Sequence, residues 1–228
     1  MLTYRRTLAA STLAVAALLT TACTPGTDGP GDGGGAGGRP AARGTALAAV
    51  DTLTVKGRAP KTGYEREEFG RAWVDVDGNG CGTRDDILKR DLTGVRFTDG
   101  HCKVASGTLT DDPYTGTTVR YVRGRSKVDI DHVVALSDAW QKGAQKWDGE
   151  TRRRFANDPL NLLAVDAATN RRKSDGDAAT WLPPNGAYRC TYVARQIAVK
   201  KKYGVWVTAG EQDAMKRVLG ACPQQKLP

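Results

Sequence analysis

The spacing of apolar positions divides the chain into three regimes. From Leu8 to Leu19 apolar side chains run almost without a break, interrupted only by small Ser and Thr. Over residues 24–44 they nearly vanish into a Gly- and Pro-rich stretch. From Thr45 onward they become periodic, and the periods predict elements. Thr62-x-x-Glu65 has the form of a capping box opening a helix that carries Tyr64, Phe69 and Trp73. Thr83, with Asp86 three residues on, opens a second short helix through Ile87 and Leu88 to about Leu92. Residues 117–122 and 127–134 read as strands. Leu136, Trp140, Ala144 and Trp147 recur at helical spacing, which predicts one amphipathic helix whose aromatics belong to the core rather than to a binding platform. Residues 161–165 read as a short strand, 167–173 as a helix and 190–203 as another. Thr208-x-x-Glu211 is a capping box for a last helix ending near Gly220. No internal repeat is visible. The mixture predicts a single α+β domain over residues 45–228, about 180 residues, which is enough for a real core.

The first two regimes have other uses. Arg5 and Arg6 ahead of the apolar run, and Thr20-Thr21-Ala22 behind it, give residues 1–23 the order of an export signal. The run is too short to span a bilayer as a mature helix. Cys23, directly after a small residue, resembles a bacterial lipoprotein lipobox, and lipidation there would anchor the chain to a membrane surface. Thr20 stands where Leu is usual, so secretion with an unlipidated Cys23 stays open. Residues 24–44 cannot bury enough surface to offset their ordering entropy and read as a flexible spacer.

Charge and cysteine usage narrow the class. The chain carries +9, and losing Arg5 and Arg6 with an acid-free leader leaves +7. A basic exported domain suits an anionic partner: nucleic acid, teichoic acid or anionic lipid. With Cys23 assigned to an anchor, Cys81, Cys102, Cys190 and Cys222 remain. An even number in an oxidising compartment implies two disulfides with three connectivities open, of which we favour the nearest-neighbour one. The absence of a CxxC pair weakens a metal reading.

The chemistry is concentrated between positions 129 and 173. The chain has two histidines, His101 and His132. Within Val128-Asp129-Ile130-Asp131-His132-Val133-Val134, alternation puts Val128, Ile130 and His132 on one strand face and Asp129 and Asp131 on the other. A lone His on such a face is ordinarily a core residue. Beside Asp131, at a strand end, it becomes an imidazole base next to a metal-ligating carboxylate. Lys173, one turn beyond Asn170, is within reach of a phosphate. Arg171 and Arg172 fit a phosphate contact or a solvated basic face equally. His101, beside Cys102, reads as surface.

Asp131-His132, Asn161-Leu162, Asn170 nine residues after Asn161, and Lys173 together resemble the HNH endonuclease signature, in the form found at the C-terminus of GmrSD-like restriction enzymes. The flanks are similar to exported actinobacterial HNH proteins: Asp112-Pro113-Tyr114-Thr115-Gly116, Asp138-Ala139-Trp140, Asn157-Asp158-Pro159-Leu160-Asn161 and Asp177-x-x-x-Trp181-Leu182-Pro183. The resemblance covers roughly Tyr64 to Cys222. It implies a ββα-metal core at about 127–175, decorated by helices and the two disulfides. It also implies Asp131 and Asn170 as metal ligands and His132 as general base, with Asn161 orienting His132 or tying the loop between the strands. Many HNH proteins carry His where this chain has Asn170. An amide oxygen favours a hard ion, Mg²⁺ or Mn²⁺, over Zn²⁺.

Asp75-x-Asp77-x-Asn79-Gly80, with Asp86 at the twelfth place, matches an EF-hand-like Ca²⁺ loop. Asp86 is shorter than the usual Glu and Cys81 lies inside the loop, so a disulfide-pinned Asx turn competes with Ca²⁺ binding. Two function classes follow. One is a monomeric, exported or surface-anchored endonuclease acting on DNA or RNA. The other is a non-catalytic module binding anionic wall polymer, with or without the aid of Ca²⁺. The full Asp131, His132, Asn161 and Asn170 set favours the first.

Overall fold

The computed structural model describes residues 42–228; the residues expected to form an export signal, Cys23, and the expected spacer up to residue 41 lie outside the described residues. A short helix, α1 (Ala46–Val50), is capped by Thr45, whose hydroxyl accepts the Ala48 amide. The helix expected from Thr62 is not formed. Only a 3-10 turn at Arg66–Phe69 exists, no side chain caps it, and Trp73 follows at φ +59 in a loop. The run of Gly70, Asp75, Gly78 and Gly80 explains this, since all three glycines have positive φ and the Asp binds loop amides.

Helix α2 (Thr83–Asp91) is where the sequence places it. Thr83 does not cap it, because its hydroxyl donates to the Val74 carbonyl instead. Strands β1 (Thr93–Phe97), β2 (Val104–Leu109) and β3 (Val119–Val122) form an antiparallel sheet in that order. β1 and β2 escape a sequence reading because Gly94, Ser106 and Gly107 dilute their alternation. Gly107 fits closely there: a Cβ would lie 3.1 Å from the Leu92 side chain, which would have to give way.

A second, two-stranded antiparallel ribbon joins β4 (Val128–His132) to β5 (Leu162–Asp166), with His132 opposite Leu162 and Val128 opposite Asp166. Between them lie α3 (Leu136–Gln141), a 3-10 turn at Ala144–Lys146, and α4 (Gly149–Asn157). The single helix expected through Leu136, Trp140, Ala144 and Trp147 therefore breaks, and it breaks at Gly143, whose φ is +128. The four apolar residues still reach one core, with Trp140, Ala144 and Trp147 packed beside Phe69 and Phe155. α4 is absent from the sequence reading because few of its positions are apolar; its signal was Asp148, which accepts the Thr151 amide at 2.7 Å.

Helix α5 (Ala167–Lys173) follows β5 with no intervening loop, capped by Asp166. α6 (Arg189–Tyr203) and α7 (Ala209–Gly220) complete the chain, and Thr208 caps α7 by accepting the Glu211 amide. β5 is buried on both faces. Leu162 and Ala164 pack toward the three-stranded sheet, whereas Leu163 and Val165 pack toward Tyr192, Ile197 and Met215 of the helical layer. Cys81–Cys102 pins the start of α2 to the β1–β2 connection, and Cys190–Cys222 joins the start of α6 to the end of α7. The nearest-neighbour pairing holds.

Candidate functional site

The ribbon opens at His132, and Asn161 holds that opening. Asn161 is fully buried. Its backbone carbonyl accepts the Val133 amide at 2.8 Å, its Oδ1 accepts the Val134 amide at 2.8 Å, and its Nδ2 donates to the Val134 carbonyl at 3.2 Å. Of the two roles the resemblance offers, it thus ties the chain just past His132; it does not touch the imidazole.

His132 is 7% exposed, and its Nε2 lies 2.8 Å from the Ala156 carbonyl at the end of α4. A carbonyl only accepts, so Nε2 must carry the proton and Nδ1 keeps a free lone pair. Burial drives the imidazole down to about 3, with Arg66 and Lys173 adding to the effect against the Ala156 bond. The ring is therefore neutral near pH 7. Trp73 stacks on it, with centroids 6.2 Å apart and 21° between the planes.

Asp131 points the other way along the strand alternation. The Tyr114 hydroxyl donates to its Oδ2, and the Lys173 ammonium donates to its Oδ1 at 3.0 Å and to the His132 carbonyl at 2.9 Å. Burial pushes the Asp131 carboxyl up, opposed by Lys173 and Tyr114. The expectation that Lys173 meets a phosphate needs correcting: its ammonium is buried and engaged under Asp131. Arg171 extends into solvent, 4.0 Å from Asp129. Asp112-Pro113-Tyr114, noted in sequence only as flanking text, acquires a purpose. Asp112 accepts the Thr115 and Asp166 amides and so positions Tyr114 beneath Asp131.

Asp131, His132 and Asn170 border one cavity of about 520 Å³, together with Asp129. Lys61, Arg66 and Arg84 also line it, and none of these three was legible as a site residue. The cavity is thus an oxygen-donor corner under a basic rim. Each Asp131 oxygen that accepts one hydrogen bond has a second lone pair, and Asn170 adds an amide oxygen. This donor set fits a hard divalent ion and offers no soft ligand.

The remaining motifs lie elsewhere. In the Asp75 loop, Asp75 accepts the Gly78, Asn79 and Gly80 amides, and the Asn79 amide group donates to Asp77 and Asp86. The loop is an Asx turn closed on its own side chains. Among the described residues, the one grouping of three His, Cys, Asp or Glu side chains at ligand spacing is Cys81, His101 and Cys102, and its two sulfurs are joined to each other.

A strand ending in Asp-His, an antiparallel partner strand paired with it across an intervening helical segment, and a helix carrying Asn directly after that partner define an HNH-type ββα domain. The chain belongs to the family described as GmrSD restriction endonucleases, C-terminal domain, which it matches over residues 82–218. It is also 41% identical, over 180 residues covering 78% of this chain and 85% of the relative, to a protein of the fungus Arthroderma benhamiae described as an uncharacterized secreted protein.

Proposed function

We propose that the chain is an endonuclease that hydrolyses phosphodiester bonds of DNA or RNA outside the cytoplasm, with His132 as general base and a divalent ion, Mg²⁺ or Mn²⁺, at Asp131 and Asn170. The observation that carries this reading is the state of His132. Its Nε2–H is committed to the Ala156 carbonyl, which leaves a neutral ring with Nδ1 free to accept, on a residue that lines the cavity. Such a ring takes a proton from a water attacking phosphorus, and the Ala156 carbonyl steadies the imidazolium that results. Lys173 and Tyr114 hold Asp131 in place and keep its charge. Lys61, Arg66, Arg84 and the exposed Arg171 draw a polyanion to the rim. When bound, the metal supplies charge stabilisation for the scissile phosphate and the leaving oxygen.

The two disulfides fit an oxidising compartment, and a secreted relative agrees with export. Lipidation of Cys23 and a monomeric state belong to the same proposal; Cys23→Ser should release an anchored protein into the medium. Plasmid nicking and oligonucleotide cleavage with Mg²⁺, Mn²⁺ or EDTA test the reading. His132→Ala should lose about 10²- to 10⁴-fold in rate with the fold intact, while His101→Ala should match the wild type. Cleavage undiminished by EDTA, or equal effects of the two histidine variants, would sink the assignment.

A further inference from the structure

A second cavity, of about 200 Å³, opens beside the first. The two share Arg66, Trp73, His132 and Leu136 as walls. The second is mostly apolar: Phe69, Trp73 and Leu136 line it, with Asn157 and the charged Arg66, Glu67 and Arg71. We propose that it is a nucleobase subsite that takes one unstacked base of the strand being cut, so that single-stranded or locally unpaired nucleic acid is the preferred substrate. This inference rests on the nuclease reading above, whose site it extends.

Four observations converge on it. The first is size and shape. Pockets for drug-sized ligands run to roughly 300–1,000 Å³, so 200 Å³ suits a single planar ring system and not a base pair. The second is an orphaned acceptor. Asn157 is 1% exposed, and its Nδ2 donates to the Arg153 carbonyl at 2.9 Å, which fixes the amide orientation. Its Oδ1 is buried with no partner among the described residues. Leaving such an acceptor unmet is costly, and every base carries an N–H that would satisfy it once the oxygen, now closed to solvent, turns to the cavity.

The third is the way Trp73 is held. A bulky side chain at φ +59 is unfavourable and persists only where neighbours impose it. Here Gly82 makes room, since a Cβ at that position would lie 2.9 Å from the Trp73 carbonyl, and the Thr83 hydroxyl grips the adjacent Val74 carbonyl. The indole is kept beside His132 and half-exposed, which is the placement a stacking platform needs. The fourth is charge. Arg66 and Arg71 are exposed and form no ion pair among the described residues, and they outnumber the one carboxylate of the lining, Glu67, so the cavity's charge favours a phosphate beside the base. Because the cavities share His132, a base in the small one delivers its phosphate to the large one. A base held in a duplex stack cannot enter.

The test is an abasic scan. Single-stranded oligonucleotides, each lacking one base at a successive position, are cut by the wild-type mature chain in Mg²⁺ or Mn²⁺, and their binding is measured separately in EDTA. One position next to the scissile phosphate should weaken kcat/KM and EDTA binding by about 5- to 100-fold, the range of one lost stacking contact. Trp73→Ala should abolish that position's effect while Trp73→Phe retains most of it, and Asn157→Leu should reduce it. A purely structural Trp73 would lower all substrates alike and leave the scan unchanged. A flat scan with normal cleavage, or faster cutting of blunt duplex than of single strand, would overturn the subsite while leaving the nuclease reading intact. No cleavage with any metal, alongside a position-dependent loss of binding in EDTA, would refute the nuclease reading and support the pocket.

Discussion

Asp131 and His132 are neighbours in sequence, and the fold treats them oppositely. The strand sends Asp131 toward Tyr114 and Lys173, which hold its charge in a buried place, and sends His132 toward Trp73 and the Ala156 carbonyl. Tyr114→Phe isolates one of these supports, because it deletes a single donor and keeps the ring. It should cost about 1–3 kcal/mol in urea denaturation, raise the Asp131 carboxyl further, and weaken the metal dependence of cleavage. An unchanged midpoint would mean that Lys173 alone satisfies Asp131. The placement of Asp131 and His132 at a strand end is visible in one dimension, because it rests on local alternation. Lys173 was misjudged because its spacing from Asn170 says which turn it occupies and nothing of what lies beneath that turn. Tyr114, 17 residues from Asp131, has no sequence-local tie to it.

Among elements, the α3 break illustrates how a correct pattern yields a wrong boundary. Leu136, Trp140, Ala144 and Trp147 all face one core, as helical spacing requires, yet Gly143 ends the helix between them. Its φ of +128 is a conformation side chains avoid, and a Cβ there would lie 3.2 Å from the Trp206 ring. Gly143→Ala should therefore destabilise the domain by more than about 1 kcal/mol, read as a fall in melting temperature; a rise would mean that the longer helix is available. The disulfides act at this scale too. Sequence separations of 21 and 32 residues correspond to about 3 to 4 kcal/mol each in the chain-entropy model, so reduction should lower the melting temperature sharply. Elements with their own caps, α5 and α7, were legible. β1 and β2 were not, since their register comes from each other and from Leu92 rather than from alternation.

Across the whole molecule, a network of three cations and three anions, buried except for the half-exposed Arg58, binds distant parts together. Lys142 contacts Asp138, Asp177 and Glu211 at 2.6, 2.8 and 2.6 Å. Lys200 joins Asp138 and Glu211, and Arg58 joins Asp138 and Asp177. Glu211, read in sequence as half of a capping box, spends its carboxylate here. Burial alone would raise Asp177, but Lys142 and Arg58 prevail and hold it at about 2, below its ordinary value of 3.8. A carboxylate depressed on folding contributes stability that is complete above its unfolded pKa and lost as pH falls through its folded one. The contribution should thus be constant above about pH 5 and fall between pH 4 and 2, by about 2 kcal/mol in all. Denaturation midpoints of the wild type and Asp177→Asn across that range test it. Asp177→Asn should be less stable at pH 6 and converge on the wild type near pH 2, and parallel curves would refute the linkage.

The order of residues alone established an α+β domain, a basic surface, four paired cysteines and an Asp-His, Asn, Asn constellation on adjoining pieces of the chain. Each of these depends on spacing within one element or on composition, and both survive without knowledge of the fold. Tertiary structure decided which proton His132 carries, what stands under Asp131, and that Arg66 and Trp73, from a segment more than 50 residues upstream, complete the cavity walls. Those features arise from contacts between elements. A hydrogen bond to Ala156 or a buried ammonium from α5 leaves no periodicity in the chain, because the partners meet only after the ribbon and the helices have packed.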